Sequence, residues 1–224
     1  MKKSLLLLSI ITISIFTLFS YTVAKERWQN TDFDFMVKLQ DHIPPRFDDR
    51  FSILSLLGSV EVTFGIALMM IILALLRLKW MGILGWLMII PATSAEVFGK
   101  LVLYHPGPPI FFHRTNVFTH LPSFYVHTEF SYPSGHMTRS VFIVTVFLAL
   151  IVYSRLNFPA KFFSSVILVG LIFLMGLSRI SLGEHWLSDV IGGTILGMGF
   201  GFFAAVLILL RVNTERSRSI AFSK

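Results

Sequence analysis

SRISLGEHWLSD, residues 178–189, runs directly into the apolar stretch VIGGTILGMGFGFFAAVLILL, residues 190–210. An apolar run of about 20 residues is long enough to cross the hydrocarbon core of a bilayer as one helix. The polar residues that precede this run are therefore expected at a membrane surface. Gly193, Gly197 and Gly201 recur at four-residue spacing within it, which predicts close packing against another membrane helix.

Five further apolar stretches have roughly the length of a membrane span. The six spans are predicted at residues 5–24, 53–76, 81–104, 137–153, 162–177 and 190–210. Composition agrees, because only 14% of the 224 residues are charged, whereas about 25% is usual for soluble domains. We predict an all-α polytopic membrane protein, with one domain over residues 1–224 and six transmembrane helices bundled around an outward-facing site.

The distribution of charge predicts the orientation of the spans. If Lys2 and Lys3 are cytoplasmic, the other cytoplasmic segments are also basic, and the first outer loop holds five aspartates. The basic residues concerned are Arg77, Lys79, Arg155, Lys161, Arg211, Arg216, Arg218 and Lys224. The formal charge of +7 thus reflects membrane orientation, and no nucleic-acid partner is expected. The first span is expected to be an uncleaved anchor, with a cleavable signal peptide as the alternative.

The absence of cysteine excludes disulfides, thiolate metal sites and cysteine nucleophiles. Histidines are present in the segment between the third and fourth spans, but they lack compact metal-ligand spacing and are expected to be polar surface. These residues are His105, His113, His120 and His127. We therefore expect no metal and no other cofactor.

His185 and Asp189 form the first candidate catalytic pair. They lie four residues apart and would share one face of a helix. A carboxylate on one ring nitrogen fixes the tautomer and leaves the other nitrogen as a nucleophile. Taken alone, the same spacing also fits a histidine that merely caps or packs the start of the last span.

Ser134, Gly135 and His136 form the second candidate, at the predicted start of the fourth span. Backbone N–H groups at the start of a helix attract anions, and glycine allows a phosphate oxygen to approach closely. Ser134 offers a hydroxyl donor, and His136 is placed to act as a general acid. The alternative for Pro133-Ser-Gly alone is an ordinary turn and helix cap.

Basic side chains near the same predicted membrane face complete an anion site. Arg179 offers a bidentate fork and Lys100 a compact charge, although Lys100 also fits snorkelling to the interface. Glu96 lies one turn before Lys100 and is expected to pair with it. The alternation of the spans brings all these groups to one face.

With these motifs in hand, the chain resembles the type 2 phosphatidic acid phosphatase family, the membrane lipid phosphatase branch of the acid phosphatase and vanadium haloperoxidase superfamily. Its signatures are Lys…Arg-Pro, Pro-Ser-Gly-His, and Ser-Arg followed by His and Asp. The second matches at 133–136, and the third at Ser178, Arg179, His185 and Asp189. The resemblance implies that His185 is the nucleophile, Asp189 orients it and His136 is the acid. It also implies phosphate binding by Lys100, Ser134, Gly135 and Arg179, without a metal.

This chain departs from the first signature of the family. Lys100 fits, but the position of the expected arginine is Gly107, followed by Pro108. We predict that Arg114, further along the same loop, reaches the phosphate instead. The alternative is that Arg114 binds lipid headgroups at the interface.

The resemblance implies hydrolysis of a phosphomonoester or diphosphate on a membrane lipid through a phosphohistidine. Phosphatidic acid, phosphatidylglycerol phosphate and polyprenyl diphosphates are the candidate substrates, and membrane lipids are the expected partners. The alternatives are a lipid phosphotransferase and a non-catalytic lipid-binding or transport protein on the same fold. The expected location is a bacterial plasma membrane, with the site on the extracytoplasmic side.

Overall fold

The computed structural model describes residues 2–115 and 130–210, which are helical, with no β-strand beyond an isolated bridge between Pro106 and Phe130. Nine α-helices occur in this part of the chain. They are α1 (Lys2–Ala24), α2 (Gln29–His42), α3 (Asp48–Leu56), α4 (Val60–Leu76), α5 (Trp80–Leu87), α6 (Ile89–Val102), α7 (Gly135–Tyr153), α8 (Phe158–Ser181) and α9 (Leu187–Leu210). Short 3-10 helices lie at Pro45–Phe47 and Ile110–Phe112.

Six helical segments of the described chain are long and apolar enough to cross a membrane, as the sequence predicted. They are Lys2–Ala24, Pro45–Leu76, Trp80–Val102, Gly135–Tyr153, Phe158–Ser181 and Leu187–Leu210. The second is longer than the predicted 53–76 because α3 precedes α4, and α4 starts anew where Ser59 Oγ accepts from the N–H of Val62. The fourth and fifth begin earlier than predicted, because their first turns contain polar residues that an apolar pattern leaves out.

The third crossing is broken at Met88, between α5 and α6. Pro91 is the cause, since its ring nitrogen cannot donate a hydrogen bond to the carbonyl of Leu87 one turn earlier. The break separates the apolar α5 from α6, which carries Glu96 and Lys100.

α9 lies at the centre of the bundle and packs closely on α7. A Cβ atom at Gly193 would lie 2.5 Å from the carbonyl oxygen of Ser134, and one at Gly197 would lie 2.5 Å from that of Thr138. At Gly201 it would lie 3.0 Å from the carbonyl oxygen of Phe142. The predicted role of these glycines in close helix packing is therefore confirmed.

The surface helix α2 lies over the end of the bundle where α8 ends and α9 begins. Asp32 accepts hydrogen bonds from the backbone N–H and the hydroxyl of Ser188, at 2.8 and 2.7 Å. The side-chain amide of Gln40 donates to the carbonyls of Phe112 and Ser181. Because these bonds join distant parts of the chain, α2 is tied directly to the segment that carries His185.

Candidate active site

The two sequence motifs meet through their main chains. The backbone N–H of Ser134 donates to the carbonyl of Asp189 at 3.0 Å, so the start of α7 rests against the start of α9. α6 reaches the same place, because Glu96 contacts Arg139 of α7. The motif residues of α6, α7, α8 and α9 therefore share one end of the bundle, as the alternation of spans predicted.

The loop between α8 and α9 presents His185. Its two N–H groups at Glu184 and His185 both donate to the carbonyl of Arg179, which closes the loop tightly. Gly183 has φ +70°, and a Cβ atom there would lie 2.1 Å from the carbonyl oxygen of Phe112. Only glycine fits this position without displacing Phe112, so the loop conformation depends on it.

His185 is paired with Asp189, although not across one helical face as predicted. His185 lies in the loop, and Asp189 lies in the first turn of α9. The Oδ2 atom of Asp189 is 3.2 Å from His185 Nδ1 and accepts from the backbone N–H of Trp186 at 3.0 Å. Asp189 thus closes the start of α9 and holds the imidazole with the same oxygen, which leaves the Nε2 atom of His185 for chemistry.

The electrostatic surroundings of His185 favour a neutral ring. Burial lowers the pKa of His185 well below its usual value, and the positive charges of Arg179, Lys100 and Arg139 lower it further. Glu96 acts in the opposite direction. A neutral imidazole with Nδ1 held by a carboxylate has a free electron pair on Nε2, which is what a nucleophile requires.

The start of α7 forms a close cradle. Ser134 is the residue before the helix; its side chain is fully buried, and its Oγ atom has no hydrogen-bond partner among the residues the structure describes. A Cβ atom at Gly135 would lie 2.7 Å from Glu96 Oε1 and 2.8 Å from Arg139 Nη1. The absence of a side chain at Gly135 is therefore what lets charged groups approach this helix end.

The charged and titratable residues of the site fall into two groups. The nucleophile side comprises His185, Asp189, His105 and Asp32. The cation side comprises Lys100, Arg139 and Arg179.

On the cation side, each basic group contacts a carboxylate. The Oε1 atom of Glu96 lies 2.7 Å from Lys100 Nζ, and its Oε2 atom lies 3.1 Å from Arg139 Nη1. The guanidinium of Arg179 contacts Glu184 and the hydroxyl of Ser55. The pairing of Glu96 with Lys100 was predicted, whereas Arg139 was missed. A charged residue inside an apolar span is the signal that identifies it.

On the nucleophile side, a second layer lies behind Asp189. The Nε2 atom of His105 is 3.6 Å from Asp189 Oδ1, 3.9 Å from Asp32 Oδ2 and 3.3 Å from the hydroxyl of Ser188. His105 is buried, so its expected role as a polar surface histidine is wrong. Neither its position nor that of Asp32 follows from spacing in the sequence, because α2 and the loop after α6 are brought here by tertiary packing.

The prediction for Arg114 is not supported by the geometry. Its guanidinium contacts Asp48 Oδ2 at 3.1 Å and donates to the carbonyls of Gln40 and Ile43. Its backbone N–H donates to Leu182. All three guanidinium nitrogens are thus engaged in joining α2, α3 and the loop, and Arg114 is not available as the missing phosphate ligand.

Within residues 2–115 and 130–210, no group of three or more His, Asp or Glu side chains is arranged to hold a metal ion. His120 and His127, which the sequence analysis considered, lie outside the described residues.

A bundle of six membrane-length apolar helices, with a buried histidine–carboxylate pair near three basic side chains, is the architecture of an integral membrane protein. Residues 80–213 match the family model described as the PAP2 superfamily. Because this match covers more than half of the chain, the protein belongs to that superfamily, as the resemblance indicated.

Known relatives agree with this assignment. Over 73 residues the chain is 38% identical to phosphatidylglycerophosphatase B of Bacillus subtilis (strain 168), which is 32% of this chain and 36% of that protein. The aligned region thus spans about a third of this curated relative.

Two solved structures share the fold. One is the transmembrane PAP2 type phosphatidylglycerolphosphate phosphatase from Bacillus subtilis, with a TM-score of 0.71 at 19% identity, covering 88% of this chain and 93% of that chain. The other is Aquifex aeolicus LpxE, with a TM-score of 0.57 at 22% identity, covering 78% of this chain and 94% of that chain. The all-helical membrane fold is therefore that of PAP2 phosphatases.

Proposed function

We propose that this protein hydrolyses a phosphomonoester or diphosphate on a membrane lipid through a phosphohistidine intermediate. The observation that carries the proposal is the His185–Asp189 pair, 3.2 Å apart, beside the cradle at the start of α7 and the cation side. Superfamily membership and the relative named phosphatidylglycerophosphatase B support the reaction class.

The first half-reaction follows from these positions. Lys100, Ser134, Gly135 and Arg179 bind the phosphate at the start of α7, where backbone N–H groups favour an anion. The Nε2 atom of His185 attacks phosphorus, and the bond from phosphorus to the leaving oxygen breaks. The electron pair goes to that oxygen, which takes a proton from His136. This step needs a protonated imidazole, and the negative charge of the bound phosphate favours that form by offsetting the neighbouring cations. Asp189 stabilises the imidazolium that forms.

In the second half-reaction, water attacks the phosphohistidine. His136, now neutral, accepts the proton of the water as general base. The P–N bond breaks, its electron pair returns to His185 Nε2, and inorganic phosphate leaves. No net oxidation or reduction occurs, and both histidines recover their starting forms.

An apolar cavity supports a lipid as the substrate. It has a volume of about 300 Å³, lies between α4 and the α5–α6 pair, and is lined by apolar side chains such as Phe64, Leu68, Ile71 and Ile90. α4 begins two residues after Gly58, whose Cβ position lies 3.0 Å from His136 Cδ2. The cavity is thus next to the helices that form the site and suits an acyl or prenyl chain.

The test is phosphate release by purified full-length protein in detergent from phosphatidic acid, phosphatidylglycerol phosphate and a polyprenyl diphosphate. Wild type should release phosphate from at least one of them, also in the presence of a chelator. His185→Ala should abolish release and any acid-labile phosphoprotein. His42→Ala, at an exposed position in α2, is the matched control and should behave as wild type. Undiminished release by His185→Ala would exclude the mechanism.

We further propose that residues 1–224 form one membrane domain in a bacterial plasma membrane, with the site on the extracytoplasmic side. The bias of basic residues towards alternate segments supports this orientation. The chain has no cysteine, so single cysteines can be introduced for labelling. A membrane-impermeant reagent added to intact cells should label a cysteine at Phe111 but not at Asn157, and the opposite pattern would refute the orientation.

A further inference from the structure

We propose that Arg139 binds the substrate phosphate in the place of the arginine that the first signature lacks at Gly107. This inference rests on the proposed function and adds one residue to its site. It assigns a role to the one basic residue of the cation side that the sequence motifs do not include.

The position of Arg139 brings its guanidinium to the anion-binding end of α7. It lies one turn after Gly135, and side chains of a helix lean towards its N-terminus. The Nη1 atom consequently lies 2.8 Å from the Cβ position of Gly135, within the cradle. An arginine at this place adds a directed N–H donor to the backbone groups that already face the anion.

The carboxylate of Glu96 contacts both Arg139 and Lys100 and so holds the two cations near each other. The two oxygens of Glu96 each contact one of these cations, at 2.7 Å for Lys100 and 3.1 Å for Arg139. Two cations that both reach one carboxylate are close enough together to share the oxygens of one phosphate. The loose transition state of phosphoryl transfer spreads charge over three such oxygens, so several donors are needed around it.

Hydrogen bonding leaves capacity at Arg139. It is only 5% exposed, and its Nε atom has no hydrogen-bond partner among residues 2–115 and 130–210. Its Nη2 atom donates to the carbonyl of Gly58 at 3.4 Å, which is a long contact. The neighbouring Ser134 Oγ is likewise buried without a partner in the described chain. Buried donors of this kind are normally satisfied by a ligand or water.

Gly107 offers a way to test the replacement directly. Its position allows a side chain, because a Cβ atom there would make only an ordinary contact, 3.6 Å from the Cβ atom of Ser131. Ser131 is two residues before Pro133 of the second signature, so this position is near the cradle. An arginine introduced at Gly107 should therefore be able to take over from Arg139.

The experiment compares Arg139→Ala, Arg139→Lys, Gly107→Arg and the double variant Gly107→Arg/Arg139→Ala on a short-chain, water-soluble phosphate ester. Arg139→Ala should lower kcat/KM by about 10²- to 10³-fold, the usual cost of one transition-state donor. Arg139→Lys should retain part of the activity, because lysine keeps the charge without the planar fork. The double variant should recover at least about tenfold over Arg139→Ala.

A second readout separates phosphate binding from structural support. The inhibition constant of vanadate, a phosphate mimic, should rise at least about tenfold in Arg139→Ala and return towards wild type in the double variant. Glu96→Gln removes the carboxylate that contacts both Arg139 and Lys100 but keeps the two cations, so it measures the loss that comes from Glu96 itself. If Arg139 only holds Glu96, then Glu96→Gln and Arg139→Ala will lose equal activity, and Gly107→Arg will restore nothing; that result overturns the inference.

Failure of folding and failure of the proposed function are distinguishable from failure of this inference. If Arg139→Ala does not yield folded protein, the same comparison is made in Arg139→Lys with and without Gly107→Arg. If wild type hydrolyses no substrate, the proposed function fails, whereas binding of inorganic phosphate to wild type and the variants still tests Arg139. Equal binding of inorganic phosphate by wild type and Arg139→Ala would then overturn the role.

Discussion

The nucleophile side and the cation side of the site are built from different kinds of contact. On the nucleophile side, the central pair lies within one short stretch, and its geometry follows from a tight loop and the first turn of α9. On the cation side, the basic groups come from three helices, α6, α7 and α8. Lys100 and Arg179 contact carboxylates four and five residues away, whereas Arg139 contacts Glu96 across 43 residues. The His185–Asp189 pair is thus formed within one short stretch, whereas tertiary packing of three helices brings the basic groups together.

This comparison predicts that the largest loss after removal of the nucleophile itself occurs at Asp189. Asp189→Asn should keep the fold but lower turnover by about 10⁴-fold, because an amide no longer fixes the correct tautomer or stabilises the imidazolium. Turnover of a soluble phosphate ester and the thermal midpoint in detergent check this. Turnover within tenfold of wild type would show that the carboxylate is not needed to orient His185.

The second layer should matter less. Asp32→Asn should lower turnover by about tenfold, since Asp32 acts only through Ser188 and His105 on the residues that orient the nucleophile. Asp34→Asn changes an exposed carboxylate on the same helix and should leave turnover unchanged. Equal losses of turnover in the two variants would mean that α2 contributes only charge or packing, and that the contacts of Asp32 with Ser188 and His105 have no separate effect.

The titration of Asp32 also makes the stability of the folded protein depend on pH. Burial raises the pKa of the Asp32 carboxyl from 3.8 to about 6, although hydrogen bonds from Ser188 lower it and the charge of Asp189 raises it further. Between these values the folded protein holds a proton that the unfolded chain releases, so this group makes folding less favourable as pH rises through about 6. Thermal midpoints measured from pH 4 to 7.5 should therefore fall more in wild type than in Asp32→Asn.

On the cation side, removal of the Glu184 carboxylate is expected to strengthen the binding of a phosphate mimic by a smaller factor. This carboxylate contacts Arg179 and accepts a hydrogen bond from Thr115 Oγ1 at 2.6 Å. A phosphate must compete with it for Arg179, so Glu184→Gln should lower the inhibition constant of vanadate about two- to fivefold. Weaker inhibition in this variant would show that Glu184 instead holds Arg179 in its binding position.

The smallest effect on chemistry is predicted at Arg114. Arg114→Ala should keep turnover of a soluble substrate within about twofold, yet lose about 1–2 kcal/mol of stability, because the buried contacts of Asp48 lose a charged donor. Turnover and thermal unfolding measured on the same preparation separate the two. A large loss of kcat with unchanged stability would show that Arg114 binds the phosphate after all.

On each side, the sequence predicted the residues of local motifs and missed those that tertiary packing adds. Hydropathy and length were sufficient for the six spans, because each apolar run has to satisfy its own backbone in the membrane. His185, Asp189 and the cradle at Ser134 follow from local spacing. His105, Asp32 and Arg139 do not, since their contacts join residues that are far apart in the chain. Arg114 was assigned by proximity in the loop, and its pairing with Asp48 depends on where α3 lies.

The hydrogen bond from the N–H of Ser134 to the carbonyl of Asp189 has a mechanical consequence. It joins the start of α7, where we propose that the phosphate binds, to Asp189, which we propose orients His185, through main-chain atoms alone. The close approach of Gly193 to the carbonyl of Ser134 brings the same two helix starts together. In the proposed mechanism, the distance from His185 Nε2 to phosphorus therefore depends on how the backbones of α7 and α9 pack, more than on any side-chain rotamer.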